Sequence, residues 1–231
     1  MRFLVRYPAG VESTEVARAF AKSALQCLAA ALSARGWIGT INPAAVEVEA
    51  CRGTPASADQ VVSFAAIYNK SDAVCFQAGV GIRLHDVNKV LGELRGSDAS
   101  RQLTAYALVN HLAPQVARRQ GWCFSPSPKG DLSSAAELIV QEVLALSEVQ
   151  ALLSSVVDVA SYIAAVEQAR WPFLSVQEQY IAALIVVGRM TDAVRAAEKG
   201  ERDYIDTVSS RGIAIREADL VFVRKVQKLQ Q

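Results

Sequence analysis

The sequence predicts an α+β fold: a small, mostly antiparallel sheet packed by an N-terminal helix and followed by a helical C-terminal half. Three observations carry this expectation. Residues 61–84 read as two strands joined by Asn69-Lys70-Ser71-Asp72. The second run alternates, with Val74, Phe76, Ala78, Val80, Ile82 and Leu84 on one face and Ala73, Cys75, Gln77, Gly79, Gly81 and Arg83 on the other. Helical periodicity flanks this hairpin on both sides. Strands cluster early and helices late, which argues against a doubly wound parallel sheet, whose strands return throughout the chain.

Taken in order, residues 2–7 read as a short strand before Glu12, Ser13 and Thr14 open a helix reaching about Arg35. On that helix Arg18, Lys22, Gln26 and Ser33 form a polar stripe opposite Val16, Phe20, Leu25, Cys27, Leu28 and Leu32, and Gly36 is its natural stop. Val46, Val48 and Ala50 alternate with Glu47, Glu49 and Cys51, a strand with a solvated acidic face. After the hairpin, Asp86 is placed to cap a helix ending at Arg95-Gly96. Asp98 is placed to cap a second helix, broken by Pro114. Trp122-Cys123-Phe124 reads as a last short strand.

The run SPSPKGD is the best candidate boundary. It divides a 1–125 α+β subdomain from a 126–231 helical subdomain packed on it as one unit. Helices are expected at about 133–146, 148–169, 176–187, 191–199 and 216–229, with stops at Gly188 and Gly200. Ser134-x-x-Glu137, Ser147-x-x-Gln150 and Ser175-x-x-Glu178 fit capping boxes, and the span 201–212 is left open.

Composition narrows the class. The 231 residues are 52% hydrophobic, ample for a core, and 24 Lys and Arg stand against 23 Asp and Glu for a net charge of +1. That balance leaves no electrostatic footprint for nucleic acid or an anionic membrane. Arg6, Pro8, Gly10 and Glu12 interrupt the N-terminus as an export signal, and the longer apolar runs fall short of a membrane span, so a soluble cytoplasmic protein is expected. Cys27, Cys51, Cys75 and Cys123 form no C-x-x-C pair and are expected to be reduced, structural thiols.

Chemistry is sparse. Gly79-Val80-Gly81 lacks the third glycine of a dinucleotide loop and sits inside a strand pattern, where missing side chains admit a close neighbour or mark a bulge. His85 and His111 lie on different elements with no spacing that enforces a metal site, so neither a metal nor a cofactor is expected. Glu47 and Glu49, about 6.5–7 Å apart along one strand face, are a carboxylate pair in principle and a solvated strand face by the simpler reading. Arg118-Arg119 and Arg224-Lys225 with Lys228 suit solubility and helix C-terminal dipoles. Trp37, Trp122 and Trp171 each follow a helix end, where a large ring more often closes a core than binds a ligand.

The segments FAKSALQCLAAALSARGW, AVEVEAC and VVSFAAIYNKSDAVCFQAGVGIRLHDVNKVL follow the order helix, strand, strand-turn-strand, helix over roughly the first 95 positions. This order resembles the small α+β immunity proteins of bacterial polymorphic toxin systems. The resemblance implies a non-catalytic protein that binds and blocks a toxin, and it transfers no functional residue position by position. YIAALIVVGRMTDAVRAAEKG also resembles one helical hairpin of tetratricopeptide type; a single unit is not an array.

The expected function is therefore a non-enzymatic, cytoplasmic protein-binding module. Candidate partner-binding residues are Gln77, Arg83, His85 and Asp86 toward the open end of the hairpin, and Trp122. The alternatives are a secretion chaperone, an enzyme whose site is assembled around Gln77, Arg83, His85 and Asp86, or a homo-oligomer built on the alanine- and valine-rich helices.

Overall fold

Alanine and leucine at helical spacing make the first described element. In α1 (Glu15–Ser33), Ala21, Ala24, Leu25, Leu28, Ala31 and Leu32 are buried, while Lys22, Gln26 and Ser33 face out. Gly36, at φ 80°, ends it in the left-handed conformation that glycine adopts without penalty. These assignments come from a computed structural model, which describes residues 15–44, 46–54, 58–70, 73–116, 121–124, 131–174, 176–210 and 217–229. The expected strand at 2–7, the opening of the first helix, the SPSPKG part of the boundary run and the Ser175 cap lie outside these residues.

Five strands follow in sheet order: β1 (Ile38–Asn42), β2 (Glu47–Thr54), β3 (Ala58–Lys70), β4 (Ala73–Leu84) and, after α2 (His85–Arg95), β5 (Ala105–Leu108). Next come a one-turn α3 (Val109–Leu112), a 3-10 turn at Pro114–Val116 and β6 (Trp122–Phe124), which pairs with β4. The helical half comprises α4 (Leu132–Ala145), α5 (Ser147–Ser155), α6 (Val159–Glu167), α7 (Gln177–Val186), α8 (Met190–Ser210) and α9 (Glu217–Lys228). The fold is α+β, with an N-terminal helix packing an antiparallel sheet and several helices after it.

Several local expectations are corrected. β1 was not anticipated; it pairs antiparallel with β2, Ile38 opposite Cys51 and Asn42 opposite Glu47. No helix runs from Ala99. Asp98 accepts a hydrogen bond from the Ser100 amide (2.8 Å) in a side-chain turn, and the chain then enters β5, where Ala105 and Ala107 are buried at strand spacing. Asp86 is not a cap. Leu84 holds the N-cap position, and Asp86 sits exposed in the first turn, where its charge complements the helix dipole.

The expected 148–169 helix is two helices. Asp158 starts the second by accepting from the Ser161 amide (2.7 Å) in a reciprocal capping box. The cap of α4 is Asp131, which accepts from the Ser133 amide (2.9 Å), and not Ser134. Gly188 ends α7 at φ 76°, but Gly200 stops nothing: α8 continues to Ser210, and the Gln177 side chain of α7 lies against the space a Cβ at Gly200 would fill.

The chain forms two units that interleave in sequence. One comprises residues 1–54, 59–82 and 106–155; the other comprises 55–58, 83–105 and 156–231. In the first, α1 packs on β1, β2 and α4, and the core lies on the sheet face formed by Val48, Ala50, Val62, Phe64, Val74, Phe76, Val80, Trp122 and Phe124. In the second, α2 packs on α7 and α9, and α8 packs on α7 and α9.

Candidate functional site

Strand alternation puts a second set of side chains on the other face of the first unit's sheet. Register places Ile38 beside Cys51, Thr40 beside Glu49, Asn42 beside Glu47 and Cys75 beside Cys123. Ile38, Thr40, Asn42 and Cys123 on this face are exposed, while Glu47, Glu49, Ala65, Ile67, Cys75, Gln77, Tyr106 and Leu108 are half-buried.

At its centre Tyr106 of β5 crosses over Gly79 of β4 and brings its hydroxyl to 3.5 Å from that of Ser63 on β3. A Cβ at Gly79 would overlap the hydroxyl end of the phenol. The neighbour admitted by that glycine is thus the chain's own tyrosine. Burial holds the Tyr106 phenol above its ordinary value, with Ser63 opposing and the charges of Glu47 and Glu49 adding. The Glu47 carboxyl is likewise pushed up, by burial first and by Glu49 second, so this acidic strand face is not simply solvated.

The cysteines change the sequence reading most. Cys75 and Cys123 form a disulfide across β4 and β6, while Cys27 and Cys51 are free and half-buried. Sequence separation of 48 residues hides the pair, and only antiparallel pairing of the two strands sets the residues opposite each other. The expectation of four reduced thiols is overturned.

The candidate partner-binding residues divide between the two units. Gln77 lies half-buried on the Tyr106 face. Trp122, also in the first unit, is buried against the core, and its indole N–H donates to Glu142 of α4 (3.1 Å). Trp37 is buried as well, under the Arg52 guanidinium at 4.7 Å.

Arg83, His85 and Asp86 belong to the second unit. Arg83 is only 8% exposed, and its Nη2 reaches the Arg101 carbonyl (3.4 Å). His85 is exposed at the start of α2, on the rim of an open groove of about 340 Å³ between that helix and residues 97–100.

Buried Asn88 sets this groove's far wall, because its amide N–H donates to the Gln102 carbonyl (2.6 Å) and its carbonyl accepts from Thr104 (3.2 Å). Thr104 in turn accepts from the Leu84 amide (2.9 Å). Lys89, Glu93 and Asp98 give the groove charges of both signs, so it selects neither a cation nor an anion. Among the described residues no three His, Cys, Asp or Glu side chains converge as a metal site, and no single helix is long and apolar enough to cross a membrane.

Comparison with protein-family models, curated proteins and solved structures returned no match.

Proposed function

We propose that the chain is a non-enzymatic protein-binding module of the immunity type, which engages and blocks a toxin through the Tyr106 face of its sheet. The observation that carries this reading is the composition of that face. Two carboxylates, Glu47 and Glu49, stand opposite the exposed edge residues Asn42 and Thr40, with exposed Ile38 next along the edge opposite Cys51 and Gln77 further across on β4. A mixed apolar and polar surface is what a specific interface uses, and the carboxylate pair calls for a partner presenting Lys or Arg there. The near-neutral net charge confines this complementarity to the patch and does not extend it over the whole surface.

The test is co-expression with the product of the adjacent gene. The expected result is a complex that survives purification, protection of cells from that product, and loss of both in a Glu49→Lys, Ile38→Asp double variant that still folds. No complex and no protection would remove the reading. The groove beside His85 favours a second one, a small-ligand or catalytic site on α2. A ligand that raises the melting temperature of the wild type but not of His85→Ala would favour it over the first.

A further inference from the structure

The geometry points to the Cys75–Cys123 disulfide as a reversible thiol-exchange site for a small thiol of the glutathione type, with Cys123 the sulfur that is attacked. This inference is independent of the protein-binding reading. Cys123 is exposed while Cys75 is half-buried, so an incoming thiolate meets the Cys123 sulfur first. Exposed disulfides are among those that exchange with the glutathione pool, whereas structural ones resist it.

The second observation concerns what remains if the bond is cut. Cys123 is flanked by Trp122 and Phe124, which are only 5% and 2% exposed and point to the opposite face. Phe124 packs edge-on against Phe76 with ring centres 5.7 Å apart, and Trp122 donates to Glu142. The register Val74 to Phe124 and Phe76 to Trp122 brackets the cysteine pair on both sides. β6 is therefore seated by its own aromatic side chains. Reduction leaves the two sulfurs facing each other across the strands, and re-oxidation needs no conformational search.

The exchange balances in two steps. A thiolate attacks the Cys123 sulfur and forms a mixed disulfide; the bond to Cys75 breaks, and the Cys75 sulfur leaves with the electron pair and takes a proton from water. A second thiolate then attacks the small-thiol sulfur of the mixed disulfide, releasing the oxidised small-thiol dimer and the Cys123 thiolate, which is protonated in turn. The protein gains two electrons and two protons, and two small thiols are oxidised.

The experiment titrates the full chain with reduced and oxidised glutathione without denaturant and maps alkylated cysteines by mass spectrometry. Free thiols are expected to rise from the two of Cys27 and Cys51 to all four cysteines, reversibly, with far-ultraviolet circular dichroism unchanged. In a Cys27→Ser, Cys51→Ser background, adding Cys75→Ser should give one glutathione adduct at Cys123 on exposure to oxidised glutathione. Adding Cys123→Ser instead should slow adduct formation at Cys75 by roughly tenfold, through restricted access. Reduction that requires denaturant, reduction that unfolds the protein, or equal adduct rates at the two positions would each overturn the proposal. The wild-type titration decides the matter even if a serine variant fails to fold.

Discussion

The two faces of the sheet share their strands and differ in what each position tolerates. On the core face, Val48, Ala50, Phe64, Phe76 and Val80 are wholly buried, and α1 lies close: a Cβ at Gly39 would be in ordinary van der Waals contact with the Ala29 side chain, at 3.5 Å. On the other face a tyrosine lies across a glycine, two carboxylates crowd each other, a disulfide bridges two strands, and Ile38 is 72% exposed. The first face is built for stability, since apolar area removed from water is its main contribution. The second carries polar and charged groups, and burial works against the ionised form of one of them, Glu47.

The sharpest way to break this contrast is to remove one large side chain from each face. Phe76→Ala deletes a fully buried ring and its edge-on partner contact with Phe124, and should lower stability by ~3–5 kcal/mol. Ile38→Ala, on the other face, should change it by no more than ~0.5 kcal/mol. Urea unfolding midpoints at equal slope measure both. A comparable loss at Ile38 would mean that the second face is covered in solution, and the contrast would fail.

Gly79→Ala tests a place where the second face is tightly packed. The added methyl collides with the Tyr106 phenol, so the ring must swing away or the strand must shift, at ~1–3 kcal/mol. The cost should shrink in a Tyr106→Ala background, and a double-mutant cycle reads the difference as coupling between the two residues. Additive losses would show that strand conformation, and not the tyrosine, is what demands glycine there.

The same contrast explains what was legible in the sequence. β4 and α1 were readable because a half-buried strand and an amphipathic helix write their burial as periods of 2 and 3.6. β1 was not, because Ile38-Gly39-Thr40-Ile41-Asn42 is short, carries a glycine and has no fully buried residue. The segment after Asp98 misled for another reason. Its serine-rich turn imitates a helix start, and the four residues of β5 are too few for alternation to outweigh that signal.

The polar core of the candidate site, Tyr106 over Gly79 beside Ser63, depends on β5 lying next to β4, which no local pattern encodes. Glu47 and Glu49 were visible as a pair, but their burial was not. The cysteine pairing was invisible for the same reason: its contact is made by strand order.

A small effect is expected at Glu47 and concerns its proton. Burial, followed by the charge of Glu49, holds this carboxyl above the ordinary glutamate value of 4.5, so between the unfolded and folded values the native state binds more proton than the unfolded chain. Its contribution is fully present below the unfolded value and is lost as pH rises through the folded one. The Asp131 and Asp158 caps, whose values are lowered below 3.8, act in the opposite sense and in a more acidic window. Glu47→Gln keeps the side-chain shape and removes the charge. It should therefore flatten the descending limb above pH 4.5 and raise stability at pH 7 by less than ~1 kcal/mol, the scale of a half-solvated charge interaction. The informative quantity is the variant-minus-wild-type difference in unfolding free energy from pH 4 to 7, in which the aspartate caps cancel. A difference that does not grow with pH would mean that Glu47 escapes to solvent, and the second face would then be an ordinary wet strand.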